Sequence, residues 1–553
     1  MSRYNIFLWL ILAATAADAQ KLKKEDKQLV ANLQQHVLFL ASDQLQGRRT
    51  GTVGEKLAAD YISKQFKALG LQPKGTAEYL QPFDIAEGKQ VNPSTHLFIN
   101  GTELKLNSEF FPLVYSANTS LEAMPSAAIQ EADMPWFLDL KDLLAENANN
   151  PHFDVSEALR KRAADMGDRG ATAVIVYNTS AAQDGLAFQG KGGSEPIKIP
   201  VVYINKATAT KYLSDESATV EIKLKTDIGP KKRTGTNVVG YIDNAAPHTV
   251  VLGAHFDHLG FGEDGNSMLR ADGKQVHNGA DDNASGTSAL IELARLLKDP
   301  KYKGSNYLFI AFSGEELGLY GSKFFVENPT IDLGKVSYMI NMDMLGRLND
   351  AEPTITVGGF GTSPVWSETF ANTGKKGLYA ANLKFKYDSS GTGPSDHTSF
   401  YRKDIPVLFY FTGLHADYHK PTDDADKLNY VGQMNIVRHI LSLVENTNKR
   451  PGKLAFTKTR EQQMGTSARF SVTLGIMPDY TFSGGGVRVD GVSENRPAQK
   501  VGMKAGDVIT ALGEHKVSSV ESYMQALSKF KKGDKTTVTY TRGKETLSAT
   551  IEF

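Results

Sequence analysis

Tyr307-Leu-Phe-Ile-Ala-Phe-Ser-Gly314 is the stretch of sequence that decides the fold, and it leads directly into two adjacent acidic residues, Glu315 and Glu316. A run of aromatic and branched residues of this length indicates a buried strand. Two neighbouring carboxylates at the end of such a strand repel each other unless a positive charge lies beside them. A metal ion often supplies that charge, with one carboxylate binding it and the other handling the protons of a bound water. The alternative interpretation is a solvated Glu-Glu pair at the start of a helix.

Three other apolar runs are followed by residues that bind metals. The runs cover residues 249–254, 336–341 and 405–411, and the residues after them include His255, Asp257, Asp343 and His419. The loop 278–286 contains Asp281 and Asp282 and opens a stretch with helical spacing of apolar residues. In an open parallel α/β sheet, the carboxyl ends of the strands meet at one crevice. We therefore predict an α/β fold, with a mixed, mainly parallel sheet sandwiched by helices and a metal site where the strands end.

The composition narrows the possible partners and chemistry. A chain of 553 residues is long enough for two to four domains. Its formal net charge is zero, and no long basic or acidic run points to nucleic acid or to an anionic membrane. There are no cysteines, which excludes disulfides, thiolate metal ligands and a cysteine nucleophile.

The first residues have the pattern of a secretory signal peptide. Arg3 supplies a positive charge, Ile6 to Ala17 form an apolar stretch, and Ala17-Asp18-Ala19 fits the small-x-small cleavage pattern. The stretch is too short for a transmembrane helix, so we predict a signal peptide at residues 1–19 and a secreted or periplasmic protein without a membrane span. The alternative is a buried N-terminal helix. Asn283-Ala-Ser285, inside the predicted metal loop, is formally a glycosylation sequon.

The pattern of apolar residues changes along the chain and suggests domain boundaries. Helical spacing in the early part gives way, at about residue 85, to short strand candidates, and the strand-and-ligand pattern resumes after about residue 228. Polar residues with Pro and Gly then suggest a linker. We predict a core domain at 20–84 and 229–448, an insert at 85–228, a linker at 449–467 and a final domain at 468–553.

Five segments together resemble the secreted co-catalytic zinc aminopeptidases, relatives of glutamate carboxypeptidase and of the transferrin receptor ectodomain. The segments occur in family order and cover residues 253–258, 278–286, 313–318, 341–347 and 418–423. The resemblance implies a zinc exopeptidase fold and two zinc ions per chain.

The resemblance also implies a role for each ligand. His255 and Asp343 would hold one zinc ion, Glu316 and His419 the other, and Asp282 would bridge the two. Family members often have a cis peptide after the bridging aspartate, so we predict one between Asp282 and Asn283. Nitrogen and oxygen donors of this kind suit zinc, although cobalt or manganese could replace it.

Three further residues are candidates for catalysis. Glu315 is left without a ligand role, and we predict that it is the general base, taking the proton of the attacking water and passing it to the leaving amine. Asp257 would accept a hydrogen bond from His255 and fix its ring, unless it is an ordinary strand-end carboxylate. Tyr418 could donate a hydrogen bond to the developing oxyanion, unless it is a core tyrosine. We interpret the other histidines near the motifs, His258, His277 and His415, as structural or surface residues.

Two further regions resemble known modules. The segments 162–177 and 199–204 give the insert at 85–228 a resemblance to a protease-associated domain. The segments 474–476, 486–491, 497–498 and 502–509 resemble a PDZ domain, so we assign residues 468–553 to one. A PDZ groove can bind a peptide as an added strand, with the loop 473–476 receiving its carboxylate. The alternative is a packing module that binds nothing.

The sequence therefore predicts a secreted zinc aminopeptidase acting on peptides with a free N-terminus. Other readings of the same core are a glutaminyl cyclase with one zinc, a carboxypeptidase or dipeptidase, and a non-catalytic peptide-binding protein. The complete set of ligands favours two metals and hydrolysis.

Overall fold

A computed structural model gives the fold of residues 22–148, 150, 153–190, 195–215, 217–269, 274–373, 383–459, 472–478, 485–492, 496–517 and 520–553. The predicted signal peptide lies outside these residues, as do residues 460–467 of the predicted linker. The chain divides into two compact units, residues 1–83 with 235–553 and residues 84–234. None of the helices in the described part of the chain combines the length and apolar character needed to cross a membrane.

The chain begins with two helices that cover one face of the main sheet. The first elements are α1 Lys24–Leu40, α2 Val53–Ala68, β1 Gln72–Pro73 and β2 Leu80–Val91. Thr52 caps α2 by accepting a hydrogen bond from the backbone N–H of Glu55. The sequence has helical spacing of apolar residues in this region, and the structure confirms that it is helical.

The second unit contains two four-stranded sheets among its described residues. Its elements are β3 His96–Ile99, β4 Thr102–Glu103, β5 Phe110–Pro112, β6 Thr119–Ala123, β7 Pro135–Asp139, α3 Lys141–Glu146, α4 Val155–Asp168, β8 Ala173–Tyr177, β9 Val201–Ile204, α5 Lys206–Tyr212 and β10 Ile222–Thr226. The sheet orders are β4-β3-β10-β6 and β5-β9-β8-β7. A buried cluster that includes Leu97, Ile222, Ile175 and Val202 draws on strands of both sheets, which gives this unit its own core.

The chain then forms the rest of the main sheet. Its elements are β11 Ile228–Ile242, β12 Thr249–His255, α6 Gly286–Leu296, β13 Asn306–Phe312, α7 Tyr320–Glu327, β14 Val336–Met342, β15 Thr354–Gly358, α8 Val365–Asn372, β16 Lys384–Tyr387, α9 His397–Tyr401, β17 Val407–Phe411 and α10 Tyr430–Asn448. The order is β1-β11-β13-β12-β14-β17-β15-β16, with β2 beside β11. The central strands β13, β12, β14 and β17 are parallel, whereas β11 and β15 run antiparallel to their inner neighbours. The fold is therefore α/β with a mixed, mainly parallel sheet, as the sequence predicted.

The central strands are largely apolar because helices cover both faces of the sheet. Every residue of β12, β13 and β14 is buried. Alternate residues of β12 face opposite sides: Val250 and Leu252 belong to one core cluster, and Val251 belongs to another. Burial on both sides explains why these strands lack an alternating polar pattern.

The last part of the chain forms a small β-rich domain with a core of its own. Its elements are β18 Ile476–Pro478, β19 Val487–Val492, α11 Pro497–Lys500, β20 Val508–Leu512, β21 His515–Lys516, α12 Val520–Leu527, β22 Lys535–Arg542 and β23 Glu545–Glu552. The described strands are ordered β18-β19-β20-β22-β23, with β21 paired to β20.

Candidate metal centre

The parallel strands bring the predicted ligands to one edge of the main sheet. His255 is the last residue of β12 and is paired with Phe312 at the end of β13. Glu315 and Glu316 follow that strand after a short turn, and Asp343 follows β14 directly. His419 lies in the loop after β17.

The loop that carries Asp282 is buried and tied to the end of β14. The peptide between Asp282 and Asn283 is cis, as predicted. The side-chain amide of Asn283 donates to the carbonyl of Met342 at 2.9 Å, and its oxygen accepts from the N–H groups of Gly286 and Met344 at 2.9 and 3.1 Å. These bonds use both acceptor positions and one donor of a fully buried amide, and they hold the loop against the neighbouring strand.

Asp282 lies between two groups of potential ligands. One of its oxygens, Oδ1, is 3.4 Å from Nε2 of His255, which in turn is 3.2 Å from Oδ1 of Asp343. The other oxygen, Oδ2, is 3.3 Å from Nε2 of His419, which is also 3.3 Å from Oε2 of Glu316. The five residues predicted as ligands are therefore together, with Asp282 shared.

His258 also faces this second group. Its Nδ1 is 2.8 Å from Oε1 of Glu316 and 3.9 Å from Oδ2 of Asp282, and its side chain is fully buried. His258, Asp282 and Glu316 offer donor atoms within 4.8 Å of one another, as do His255, Asp282 and Asp343. The interpretation of His258 as a structural or surface residue did not anticipate this contact, although its place three residues after His255 was a possible signal.

The chemistry of these donors fits a metal ion. Three carboxylates and the imidazoles beside them are almost entirely withdrawn from water, and they supply only nitrogen and oxygen donors. Burial by itself lowers the pKa of His255 and His419, but the neighbouring carboxylates raise both well above the usual value. Burial raises the pKa of Glu316, but His419 and His258 hold it well below the usual value. The centre therefore attracts positive charge strongly, and a metal ion can take the place of the histidine protons.

Glu315 stands apart from both donor groups. Burial raises its pKa well above the usual value; His255 acts in the opposite direction, and Asp396 and Asp343 add to the rise. It lines the same pocket as His255 and His419. It is therefore a carboxylate beside the candidate metals that belongs to neither group.

Asp257 acts differently from the prediction. Nδ1 of His255 is 3.2 Å from the backbone oxygen of Asp257, whereas the Asp257 carboxylate is 3.8 Å away, too far for a hydrogen bond. The carboxylate instead accepts from the backbone N–H of Glu315 at 3.2 Å and from the hydroxyl of Thr50 at 3.0 Å. Burial raises its pKa to about 6. The residue fixes the His255 ring through its main chain and the position of Glu315 through its side chain.

A pocket of about 110 Å³ opens beside these groups. Its lining combines Glu315 and the ligands with apolar side chains, among them Met344, Phe409, Phe411 and Leu414. Tyr418 also lines it, with its ring stacked on that of His419 at a centroid distance of 3.9 Å. The pocket is small enough to hold one side chain, and its lining also includes polar residues such as Asp388, Ser390 and Thr392.

Arg48 supports the loops of the centre, a role that was not predicted from the sequence. Its buried guanidinium donates to the carbonyl of Phe256 at 2.7 Å, and to those of Asn278 and Gly279 at 2.7 and 3.0 Å. It donates to Leu40 as well. Burial lowers its pKa to about 10. These bonds link the loop after β12 to the loop that carries Asp282.

Asp423 supports the same loop from the other side. Its Oδ2 accepts from the backbone N–H groups of Asp281 and Asp282 at 2.9 and 3.0 Å. Asp423 belongs to one of the segments that carry the family resemblance, but its role was not predicted. Ser395, which donates to Oδ2 of Asp343 at 2.8 Å, was also missed.

The remaining histidines near the motifs are not close to the shared aspartate. His277 contacts the hydroxyl of Ser267 at 2.7 Å, and burial lowers its pKa. His415 lies 3.3 Å from Oδ2 of Asp281, the aspartate next to the candidate ligand. Neither belongs to a candidate metal group among the described residues.

Comparisons with known proteins agree with this geometry. Residues 237–444 match the profile of Peptidase family M28, and residues 455–553 match that of the PDZ domain. Aminopeptidase YwaD of Bacillus subtilis (strain 168) is 28% identical over 273 residues, which are 47% of this chain and 53% of that protein. Leucine aminopeptidase 2 of Arthroderma otae is 24% identical over 425 residues, which are 73% of this chain and 76% of that protein.

Among solved structures, a zinc aminopeptidase from Bacillus subtilis, BSAP, is 22% identical and has a TM-score of 0.41, with coverage of 75% of this chain and 94% of that one. The chain spans about half the length of the first relative named above. Residues 237–444 of this chain belong to peptidase family M28, and residues 455–553 are a PDZ domain.

Proposed function

We propose that this protein is a zinc-dependent aminopeptidase that removes N-terminal residues from peptides with the help of two metal ions. The observation that carries the proposal is the shared position of Asp282, whose two oxygens face two different donor groups. Two sites with a common carboxylate favour hydrolysis with two metals over a cyclase with one. The aminopeptidases among the relatives support the same reaction class.

Each residue of the centre has its own role. His255 and Asp343 would hold one zinc ion, Glu316 and His419 would hold the other, and the two oxygens of Asp282 would contribute to both sites. His258 donates to the outer oxygen of Glu316 and fixes its direction. When bound, the two ions polarise the scissile carbonyl and lower the pKa of the attacking water.

Glu315 is the general base. It accepts the proton of the attacking water and returns it to the amine of the leaving peptide. Its pKa, which burial raises, falls again when cations bind nearby, because positive charge favours the ionised form. Asp257 holds the backbone of Glu315 in place, and Tyr418 donates a hydrogen bond to the developing oxyanion.

The pocket beside the metals receives the N-terminal side chain of the substrate. Its apolar wall, formed by residues such as Met344, Phe409 and Phe411, favours an apolar residue at that position. We also propose that residues 1–19 direct export of the chain, and that residues 85–228 form a protease-associated domain. The separate core of the unit 84–234 supports a distinct domain there.

The test is hydrolysis of aminoacyl-nitroanilides by the wild type and by Glu315→Gln, with zinc measured in both. We expect the wild type to cleave leucyl-nitroanilide and to hold about two zinc ions per chain. The variant should keep its zinc and lose about a thousandfold in kcat, because only the proton acceptor is removed. Glu327→Gln, an exposed glutamate on α7, is the matched control.

Two results would contradict the proposal. One is a wild type that holds its metals but cleaves no member of the panel. The other is a single bound zinc together with cyclisation of N-terminal glutamine, which would identify a glutaminyl cyclase instead.

A further inference from the structure

A buried glutamate of α2, Glu55, is bonded to the turn that carries Glu315 and Glu316. It is 3% exposed, and no step of the proposed hydrolysis uses it. Burial raises its pKa to about 7, although it accepts three hydrogen bonds, and no residue in the described part of the chain forms an ion pair with it. A buried carboxylate without a cation costs free energy, so its place in the fold calls for a role.

The two oxygens of Glu55 have different partners. Oε2 accepts from the backbone N–H of Gly51 at 2.7 Å, which closes the start of α2 in the manner of a capping box. Oε1 accepts from the backbone N–H of Thr236 at 2.9 Å and from the hydroxyl of Ser313. Capping of the helix accounts for the first oxygen only. The second oxygen holds a residue of the catalytic turn that lies 258 positions later in the chain.

Ser313 is fully buried, and each of its polar groups is bonded. Its N–H donates to Oδ1 of Asn237 at 3.1 Å, and its carbonyl accepts from the N–H of Gly321 at 3.0 Å. Its hydroxyl donates to Glu55 and lies 3.5 Å from the hydroxyl of Thr50. The first two bonds fix the main chain of this residue, and the bond to Glu55 fixes its side chain.

Only Gly314 separates Ser313 from the proposed general base. The φ angle of Gly314 is +68°, in the left-handed region that glycine adopts without strain. A glycine has no side chain that could hold this conformation by packing, so the direction of Glu315 depends on the bonds on either side. Asp257 supplies one of them by accepting from the N–H of Glu315 at 3.2 Å, and Glu55 supplies another before the glycine.

We propose that Glu55 is a positioning residue for the hydrolysis: by holding Ser313, it fixes the direction in which the carboxylate of Glu315 points. The inference rests on the proposed function and adds to it a group from α2. Rates fall by up to about a hundredfold when a reacting group is misplaced by about 1 Å, so the loss of a bond two residues before the base should reduce kcat. Glu55 does not line the substrate pocket, so KM should stay unchanged.

The test uses Ser313→Ala in the full-length protein, which removes the hydroxyl and leaves the other bonds of Glu55. With leucyl-nitroanilide, we expect kcat to fall about tenfold while KM and zinc content keep their wild-type values. Zinc should be retained because Glu316 has its own contact with His258, at 2.8 Å. Ser337→Ala, which removes another buried and bonded hydroxyl, on β14, is the matched control and should keep the wild-type kcat.

Two double variants show how the effect reaches the base. In Glu315→Gln, the change Ser313→Ala should not reduce the residual kcat further, because the carboxylate that it positions has been replaced. In Glu55→Met, which keeps the volume but removes both acceptors, Ser313→Ala should also add little. The comparison with Glu315→Gln decides the question by itself if Glu55→Met does not fold. The same tenfold factor in every background would overturn the inference.

Other outcomes separate this inference from the proposed function. An unchanged kcat in Ser313→Ala, or a loss of its zinc, would overturn the positioning role while the wild type still cleaves the nitroanilide. A rise in KM without a fall in kcat would do the same, because it would place the effect on substrate binding. A wild type that cleaves no aminoacyl-nitroanilide would overturn both proposals.

Discussion

Buried carboxylates have different kinds of partner at the metal centre and in the PDZ domain. Asp507 is 1% exposed, and Arg542 donates to both of its oxygens, at 2.7 and 2.8 Å. Asp282 is 3% exposed, yet in the part of the chain that the structure describes only histidines form ion pairs with it. A buried carboxylate whose charge is neutralised by an arginine needs no further partner. A buried carboxylate that faces only histidines can still bind a cation.

The largest effect is expected when the charge of the shared aspartate, Asp282, is removed. Asp282→Asn should lose both metals and reduce kcat/KM by more than about a thousandfold, because both donor groups depend on this carboxylate. The zinc content, measured by elemental analysis, distinguishes this variant from Glu315→Gln, which keeps its metals. Asp281→Asn, at the neighbouring aspartate, should retain zinc. Full zinc occupancy in Asp282→Asn would contradict the claim that the Asp282 carboxylate, unlike that of Asp507, serves to bind metal.

Metal removal should affect the two regions unequally. A ligand at a thousand times its Kd stabilises the folded state by about 4 kcal/mol. A chelator should therefore lower the unfolding temperature of the peptidase core and leave that of the PDZ domain unchanged, as followed by calorimetry. The same treatment of Asp282→Asn should have no effect. A chelator-induced shift of both transitions would show that the two domains unfold together.

Substitution of Arg542, the arginine partner of Asp507, should have a smaller effect that is limited to the PDZ domain. Arg542→Met should lower the free energy of unfolding of that domain, because the buried carboxylate of Asp507 loses the two hydrogen bonds that the arginine donates. Arg542→Lys, which keeps the charge, should lose less. Chemical denaturation measures both, and leucyl-nitroanilide cleavage should be unchanged. A loss of that activity would link the pair to the metal centre.

His439 shows a third arrangement, a buried titratable group without a charged partner among the residues that the structure describes. Burial lowers its pKa to about 3, so the native state holds it neutral, while the unfolded chain takes up a proton below about pH 6.5. The contribution of neutral His439 to the free energy of unfolding is therefore fully present above about pH 6.5 and is lost as the pH falls towards 3. His439→Leu should gain about 2 kcal/mol relative to wild type between pH 7 and pH 5, measured with chelator present. Tyr410→Phe, which changes only the neighbour of this histidine, should show a difference that is independent of pH.

The sheet and the five candidate ligands were accessible from the sequence because each ligand directly follows an apolar run or lies in a loop between runs. Local spacing is enough there, since parallel strands deliver their ends to one edge. The cis peptide followed from the family resemblance. The assignments of residue roles stay predictions until the variants are measured.

The residues that support the site could not be predicted from the sequence, because their roles depend on contacts between distant parts of the chain. Arg48 bonds to carbonyls more than two hundred positions away, and nothing near it in the sequence marks it as buried. The direction of a side chain is equally hidden: His258 and Asp257 lie beside His255 in sequence, yet one turns to Glu316 and the other to Thr50. Neighbouring residues of a loop can face different partners, and only the folded backbone decides between them.

The burial of Asn283 has a practical consequence for producing the protein. Asn283-Ala-Ser285 is a sequon, but the asparagine is fully buried and its amide is bonded to Met342. An oligosaccharide attached during synthesis would prevent the loop from closing. The sequon cannot simply be removed at its third position either, since the hydroxyl of Ser285 bonds to Asp281 and accepts from the N–H of Leu345. Expression hosts that glycosylate asparagine should therefore yield a misfolded fraction, and a bacterial host avoids it.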